Sequence, residues 1–99
     1  MKNKQKTKDT VIRKETRCQD GCEYCYTLLM KESTNVASYK IPLYSVNIDL
    51  KMADGERTNA DAKEIFADAG KALDFFDKLV LNLATPIDLP YIIEDEFSR

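Results

Sequence analysis

The chain has 99 residues, a formal net charge of −2, three cysteines and no histidine. That length predicts one small domain. No stretch approaches the ~20 apolar residues of a membrane span, and the commonest general base is missing. The basic start has no apolar run behind it, so it does not read as a secretory signal. The expectation is a cytoplasmic protein whose thiols stay reduced.

Charge is unevenly placed. Residues 1–17 carry a net +5 and residues 18–99 a net −7. Residues 1–9 read as a flexible basic tail and residues 10–99 as a single α+β domain. The tail offers cations to a nucleic-acid backbone but no aromatic ring for stacking.

Thr10 to Cys18 is compatible with a strand. Asp20-Gly21 then signals a hairpin turn, because glycine accepts the positive φ that a tight turn needs. A second strand is expected from Cys22 to about Lys31. Period-two alternation puts Cys22, Tyr24, Tyr26, Leu28 and Met30 on one face. Ser33-Thr34-Asn35 reads as a polar connection.

The third strand is the clearest. Tyr44, Val46, Ile48, Leu50 and Met52 alternate with Ser45, Asn47, Asp49 and Lys51, the pattern of a half-buried antiparallel strand. Pro42 stands near its start, where a missing N–H does least harm. Asp54-Gly55 ends it in a turn, and Thr58 to Asp61 reads as polar loop. Ala62 to Ala67 reads either as a short fourth strand, with Ile65 or Phe66 inward, or as the start of a helix.

From about Ala69 the period becomes helical. Ala72, Leu73, Phe76, Leu79, Val80 and Leu83 form one apolar stripe, with Asp68 as its N-cap. Thr85-Pro86-Ile87-Asp88 resembles a capping arrangement. A short final helix to about Phe97 is expected to bury Leu89, Ile92, Ile93 and Phe97. Pro90 conflicts with a start at Pro86 and favours one nearer Asp88. Glu94, Asp95 and Glu96 read as a solvated acidic face. The fold class that follows is α+β: an antiparallel meander of three to four strands, packed on one face by two C-terminal helices.

This order of elements resembles an uncharacterised family of short proteins, about 100 residues long and found mainly in Firmicutes, that carries a domain-of-unknown-function label. The matching residues are Asp20-Gly21, Tyr24 and Tyr26, Tyr44-Ser45-Val46-x-Ile48, and the tail Pro86-Ile87-Asp88-Leu89 followed by Ile92-Ile93-Glu94-Asp95-x-Phe97. The likeness covers roughly residues 20–97. It implies a fold and no assigned activity, and the three cysteines are not part of the family's pattern.

Those cysteines, Cys18, Cys22 and Cys25, are spaced C-x3-C-x2-C. The spacing looks like the cluster motif of radical S-adenosylmethionine enzymes. Such an enzyme needs a barrel of roughly 200 residues or more around its cluster, which this chain lacks. Geometry adds a second objection. Cys22 and Cys25 are three apart on one strand and point to opposite faces. A three-residue turn sets Cys18 opposite Cys22, and a two-residue turn puts it on the Cys25 face. In neither register do three sulfurs converge. Zinc would need a fourth ligand that is not histidine.

The expectation is therefore a small non-catalytic protein-interaction or regulatory module, acting on a protein partner or on itself. It has no catalytic residues and no cofactor. The alternatives are iron–sulfur or zinc binding through Cys18, Cys22 and Cys25, and nucleic-acid contact through the basic arm.

Overall fold

The computed structural model describes residues 9–34 and 40–98. Four strands, β1 (Thr10–Gln19), β2 (Cys22–Thr34), β3 (Lys40–Lys51) and β4 (Arg57–Phe66), precede two helices, α1 (Ala69–Leu81) and α2 (Leu89–Phe97). The strands form one antiparallel sheet in the order β1-β2-β3-β4. The α+β meander with two C-terminal helices is the fold expected from the sequence.

The first turn explains why β1 and β2 pair as they do. Asp20 and Gly21 have φ of 54° and 80°. Two consecutive positive values make a type I′ turn, whose twist matches that of the strands it joins. Gln19 and Cys22 close it, and the register runs back from there to Thr10 opposite Met30. A bulge between Val11 and Arg13 interrupts it.

Alternation then sorts the side chains. Tyr26 and Leu28 of β2 and Tyr44, Val46, Ile48 and Leu50 of β3 are buried, with Ala62 and Phe66 of β4. Ala72, Phe75, Phe76, Leu79 and Val80 of α1, Ala84 after it and Leu89 of α2 complete the core. The apolar stripe of α1 is wider than its spacing suggested, since Phe75 and Phe76 are both buried. Asp68 caps α1 as expected, accepting from the Lys71 N–H at 2.8 Å.

Several boundaries differ from expectation. Thr58 to Asp61 is strand, not loop: Thr58 pairs with Leu50, Asn59 with Asp49, Ala60 with Ile48 and Asp61 with Asn47. Polar composition misled there because this part of β4 turns Asn59 and Asp61 to the open face. Asn47 Nδ2 donates to Asp61 Oδ1 and to Asn59 Oδ1, and Asn59 Nδ2 donates to Asp49 Oδ1. Ala62 to Phe66 continues this strand, so the helical alternative falls. β2 extends through Ser33 and Thr34 into the expected connection, whose Asn35 lies outside the described residues. Met52 lies past the end of β3 and is 38% exposed. Of the proposed tail, residues 1–8 lie outside the described residues.

The chain between the helices is held tightly. Leu83 N–H donates to Val80 O and Ala84 N–H to Leu79 O, a Schellman motif in which Leu83 takes the left-handed position at φ 48°. Thr85 and Asp88 cap each other: the Thr85 N–H donates to Asp88 Oδ2 and the Asp88 N–H to Thr85 Oγ1. α2 starts only at Leu89, so Pro90 falls in its first turn, where no helical donor is needed. Phe97, expected to be buried, is 52% exposed, although its ring lies 5.3 Å from that of Phe66. Glu96 meets Lys78 of α1 at 3.2 Å, while Glu94 and Asp95 are exposed.

Candidate interaction surface

The hairpin carries the three cysteines on both faces of the sheet. The two-residue turn sets Cys18 opposite Glu23 and Thr16 opposite Cys25, so Cys18 and Cys25 share the open face. Cys22 lies opposite Gln19 on the helix-bearing face. All three thiols are free. Among the described residues no group of three or more histidine, cysteine or carboxylate side chains is placed to hold a metal. Of the three cysteines of the alternative metal reading, Cys18 and Cys25 thus share a face and Cys22 stands on the other.

The open face is a polar surface held by its own hydrogen bonds. Arg57 Nη2 donates to Asp49 Oδ2 at 3.0 Å. That contact, with the Asn59 amide, holds the Asp49 carboxyl below its ordinary range. At the far end of β4 the Glu64 N–H donates to Ser45 Oγ at 2.8 Å, and Glu64 reaches Lys31 at 2.6 Å. Glu64 itself sits at φ 55° in a bulge. The bulge kinks this outer strand, a device that protects an edge from pairing.

The opposite edge is different. Neither helix packs closely on β1, and every β1 residue except Glu15 is exposed. Its helix-side residues are polar: Arg13, Glu15, Arg17 and Gln19. Between them and α1 runs a groove of about 410 Å³. Glu15, Arg17 and Gln19 form one wall; Asp77, Val80, Leu81 and Leu83 form the other. Arg13 Nη1 and Asp77 Oδ1 approach to 3.5 Å between the same two elements. Leu81 is 84% exposed. Leu83 keeps a bulky side chain at a helix-end position where glycine is usual.

Backbone polarity along β1 follows from the turn. A type I′ hairpin closes on a hydrogen-bonded pair, here Gln19 and Cys22, and such pairs alternate along the ladder. Arg17, Glu15 and Arg13 therefore turn their N–H and C=O groups toward β2. Cys18, Thr16 and Lys14 turn theirs outward. The Arg17 side chain bears this out, because its Nη1 donates to the outward Thr16 carbonyl at 3.0 Å. The same nitrogen meets Glu15 Oε1 at 3.1 Å. Arg17 thus covers part of an edge that no described strand occupies.

Sequence reasoning did not single out this surface. The charged run Arg13-Lys14-Glu15-Thr16-Arg17 was visible, but its place at an edge depends on strand order. Leu81 was outside the apolar stripe, the one local sign that it faces away from the core.

No helix among the described residues is long and apolar enough to cross a membrane. No curated protein and no solved structure matches the chain. A family model does: residues 6–98 match the family of unknown function DUF6514, and the chain belongs to that family.

Proposed function

We propose that this protein is a small non-catalytic interaction module that binds a protein partner through the outer edge of β1. The observation that carries the reading is the free edge itself. Lys14, Thr16 and Cys18 turn backbone groups outward over a bulge-free stretch that no strand among the described residues occupies, beside a groove with an exposed leucine; only the Thr16 carbonyl is taken, by the Arg17 side chain. Strand addition at such an edge supplies affinity through main-chain hydrogen bonds and specificity through alternate side chains. The other edge, with its Glu64 bulge, lacks this regularity. The absence of histidine and the dispersed carboxylates support a non-catalytic role. Three free thiols suit a reducing cytoplasm. The nucleic-acid alternative rests on Lys2, Lys4, Lys6 and Lys8, which lie outside the described residues.

Site-specific photo-crosslinking in living cells tests the reading. A photoreactive residue replacing Thr16 is expected to give a discrete adduct with a polypeptide, lost when Cys18→Pro removes an outward N–H. The same residue replacing Lys63 on β4 is expected to give none. Equal labelling from both positions, or none from Thr16, would contradict it.

A further inference from the structure

Resting on the edge reading above, we infer that the strand added to β1 is β1 of a second copy, antiparallel, with Thr16 on the two-fold axis. Three features of the strand select that occupant and that register.

The first is its regularity. β1 runs in uninterrupted register from Arg13 to Gln19 and is broken by the bulge at Ile12. The midpoint of that straight stretch is Thr16. A two-fold axis there pairs the whole stretch with itself and leaves the bulge outside.

The second is backbone polarity. Thr16 points its N–H and C=O outward, so an axis at Thr16 makes a reciprocal hydrogen-bonded pair with the partner's Thr16. Lys14 and the partner's Cys18 form the next such pairs on each side. The result is isologous, as a two-fold interface must be.

The third is charge. The same axis sets Glu15 opposite the partner's Arg17, twice by symmetry. These are non-hydrogen-bonded positions, where side chains stand closest. Arg13 falls opposite the partner's Gln19. Other registers that keep the faces matched are worse. An axis at Glu15 stacks Glu15 on its own copy and Arg13 on the partner's Arg17. An axis at Lys14 stacks Lys14 on its copy and brings the Ile12 bulge opposite the partner's Thr16. An axis at Arg17 stacks Arg17 on its copy. Of these four registers, only the one at Thr16 sets no like charges opposite each other while pairing the whole straight stretch.

Arg17 is the element that changes state. In the single chain its guanidinium holds the Thr16 carbonyl and the Glu15 carboxylate at 3.0 and 3.1 Å. On pairing, the partner's Thr16 N–H takes that carbonyl and Arg17 turns to the partner's Glu15. An exposed ion pair of this kind costs little to exchange. The axis stands perpendicular to the sheet, so both helix layers lie on one side of a continuous sheet and the two β1–α1 grooves adjoin.

Charge reversal with rescue tests the register. Sedimentation equilibrium on the full chain is expected to give a concentration-dependent dimer. Glu15→Arg and Arg17→Glu should each weaken it by about tenfold or more, because each creates two like-charge pairs. The double swap should restore it to within about threefold. Circular dichroism of all four proteins checks that the fold is kept. A strict monomer at every concentration would overturn self-pairing. So would a dimer insensitive to both reversals, or one that the double swap fails to restore. If the chain is monomeric while the Thr16 crosslink in cells still captures a different polypeptide, self-pairing fails and the interaction-module reading stands. If neither is seen, both fail.

Discussion

The Tyr26 hydroxyl donates a hydrogen bond to the Ala84 carbonyl at 2.8 Å, joining the second strand to the chain just after α1. Tyr26 is fully buried, and the Schellman turn delivers the Ala84 carbonyl to its hydroxyl. Its ring stacks beside that of Tyr24, with centroids 6.4 Å apart. One side chain thereby fixes the end of α1 over the strand that pairs with β1, and so helps to set the width of the groove.

Tyr26→Phe is expected to destabilise the protein by about 1–3 kcal/mol, the cost of a buried carbonyl left without its donor. Burial, with Tyr24 adding to it, pushes the Tyr26 pKa up from 10.0 to about 12. The folded chain therefore keeps this proton after the unfolded chain has begun to lose it. The stabilisation is whole below pH 10 and is lost as the pH rises through 12. Urea unfolding of wild type and Tyr26→Phe across that range should show the gap between them closing.

The two turn glycines should differ. Gly21, at φ 80°, would place a Cβ 3.1 Å from that of Ala53. Gly55, at φ 97°, has nothing within 4 Å of that position. Gly55→Ala should cost about 1–2 kcal/mol for backbone strain alone. Gly21→Ala should cost more, because the tips of the two hairpins must also part. Thermal unfolding of the two variants gives the order.

Proline distinguishes the two sides of β1. Thr16→Pro removes an N–H that points outward and should leave the monomer folded while abolishing edge pairing. Glu15→Pro removes a donor to β2, opposite Tyr26, and should destabilise the fold by about 3 kcal/mol. Denaturant unfolding and sedimentation of both proteins check the assignment. Destabilisation by Thr16→Pro as large as that by Glu15→Pro would contradict this assignment, and a larger one would show that the backbone polarity of β1 is reversed.

Asp68→Ala removes the acceptor of the Lys71 N–H and should cost about 1 kcal/mol of stability. Asp68→Asn should recover most of that loss in the same unfolding experiment.

Much of this fold could be read locally. The alternation from Tyr44 to Leu50, the Asp20-Gly21 turn and the Asp68 cap each depend on neighbours within a few residues. What escaped was set by distant partners. Thr58 to Asp61 looks like loop until β3 supplies Asn47 and Asp49 for its side chains. Phe97 belongs to the apolar pattern of α2, yet the helix ends at the rim of the core. The cysteine parity was legible because Cys22 and Cys25 share a strand, whereas the face of Cys18 waited on the length of the turn. The groove was illegible: Glu15 and Arg17 lie some 60 residues from Asp77 and Leu81, and only the folded chain sets them side by side.

Residue-resolved amide exchange at rising protein concentration tests the central claim most directly. The account predicts that the Lys14, Thr16 and Cys18 amides, open in the dilute chain, become protected as concentration increases, while Arg13, Glu15 and Arg17 stay protected throughout. Outward amides that exchange at one rate at every concentration would contradict it.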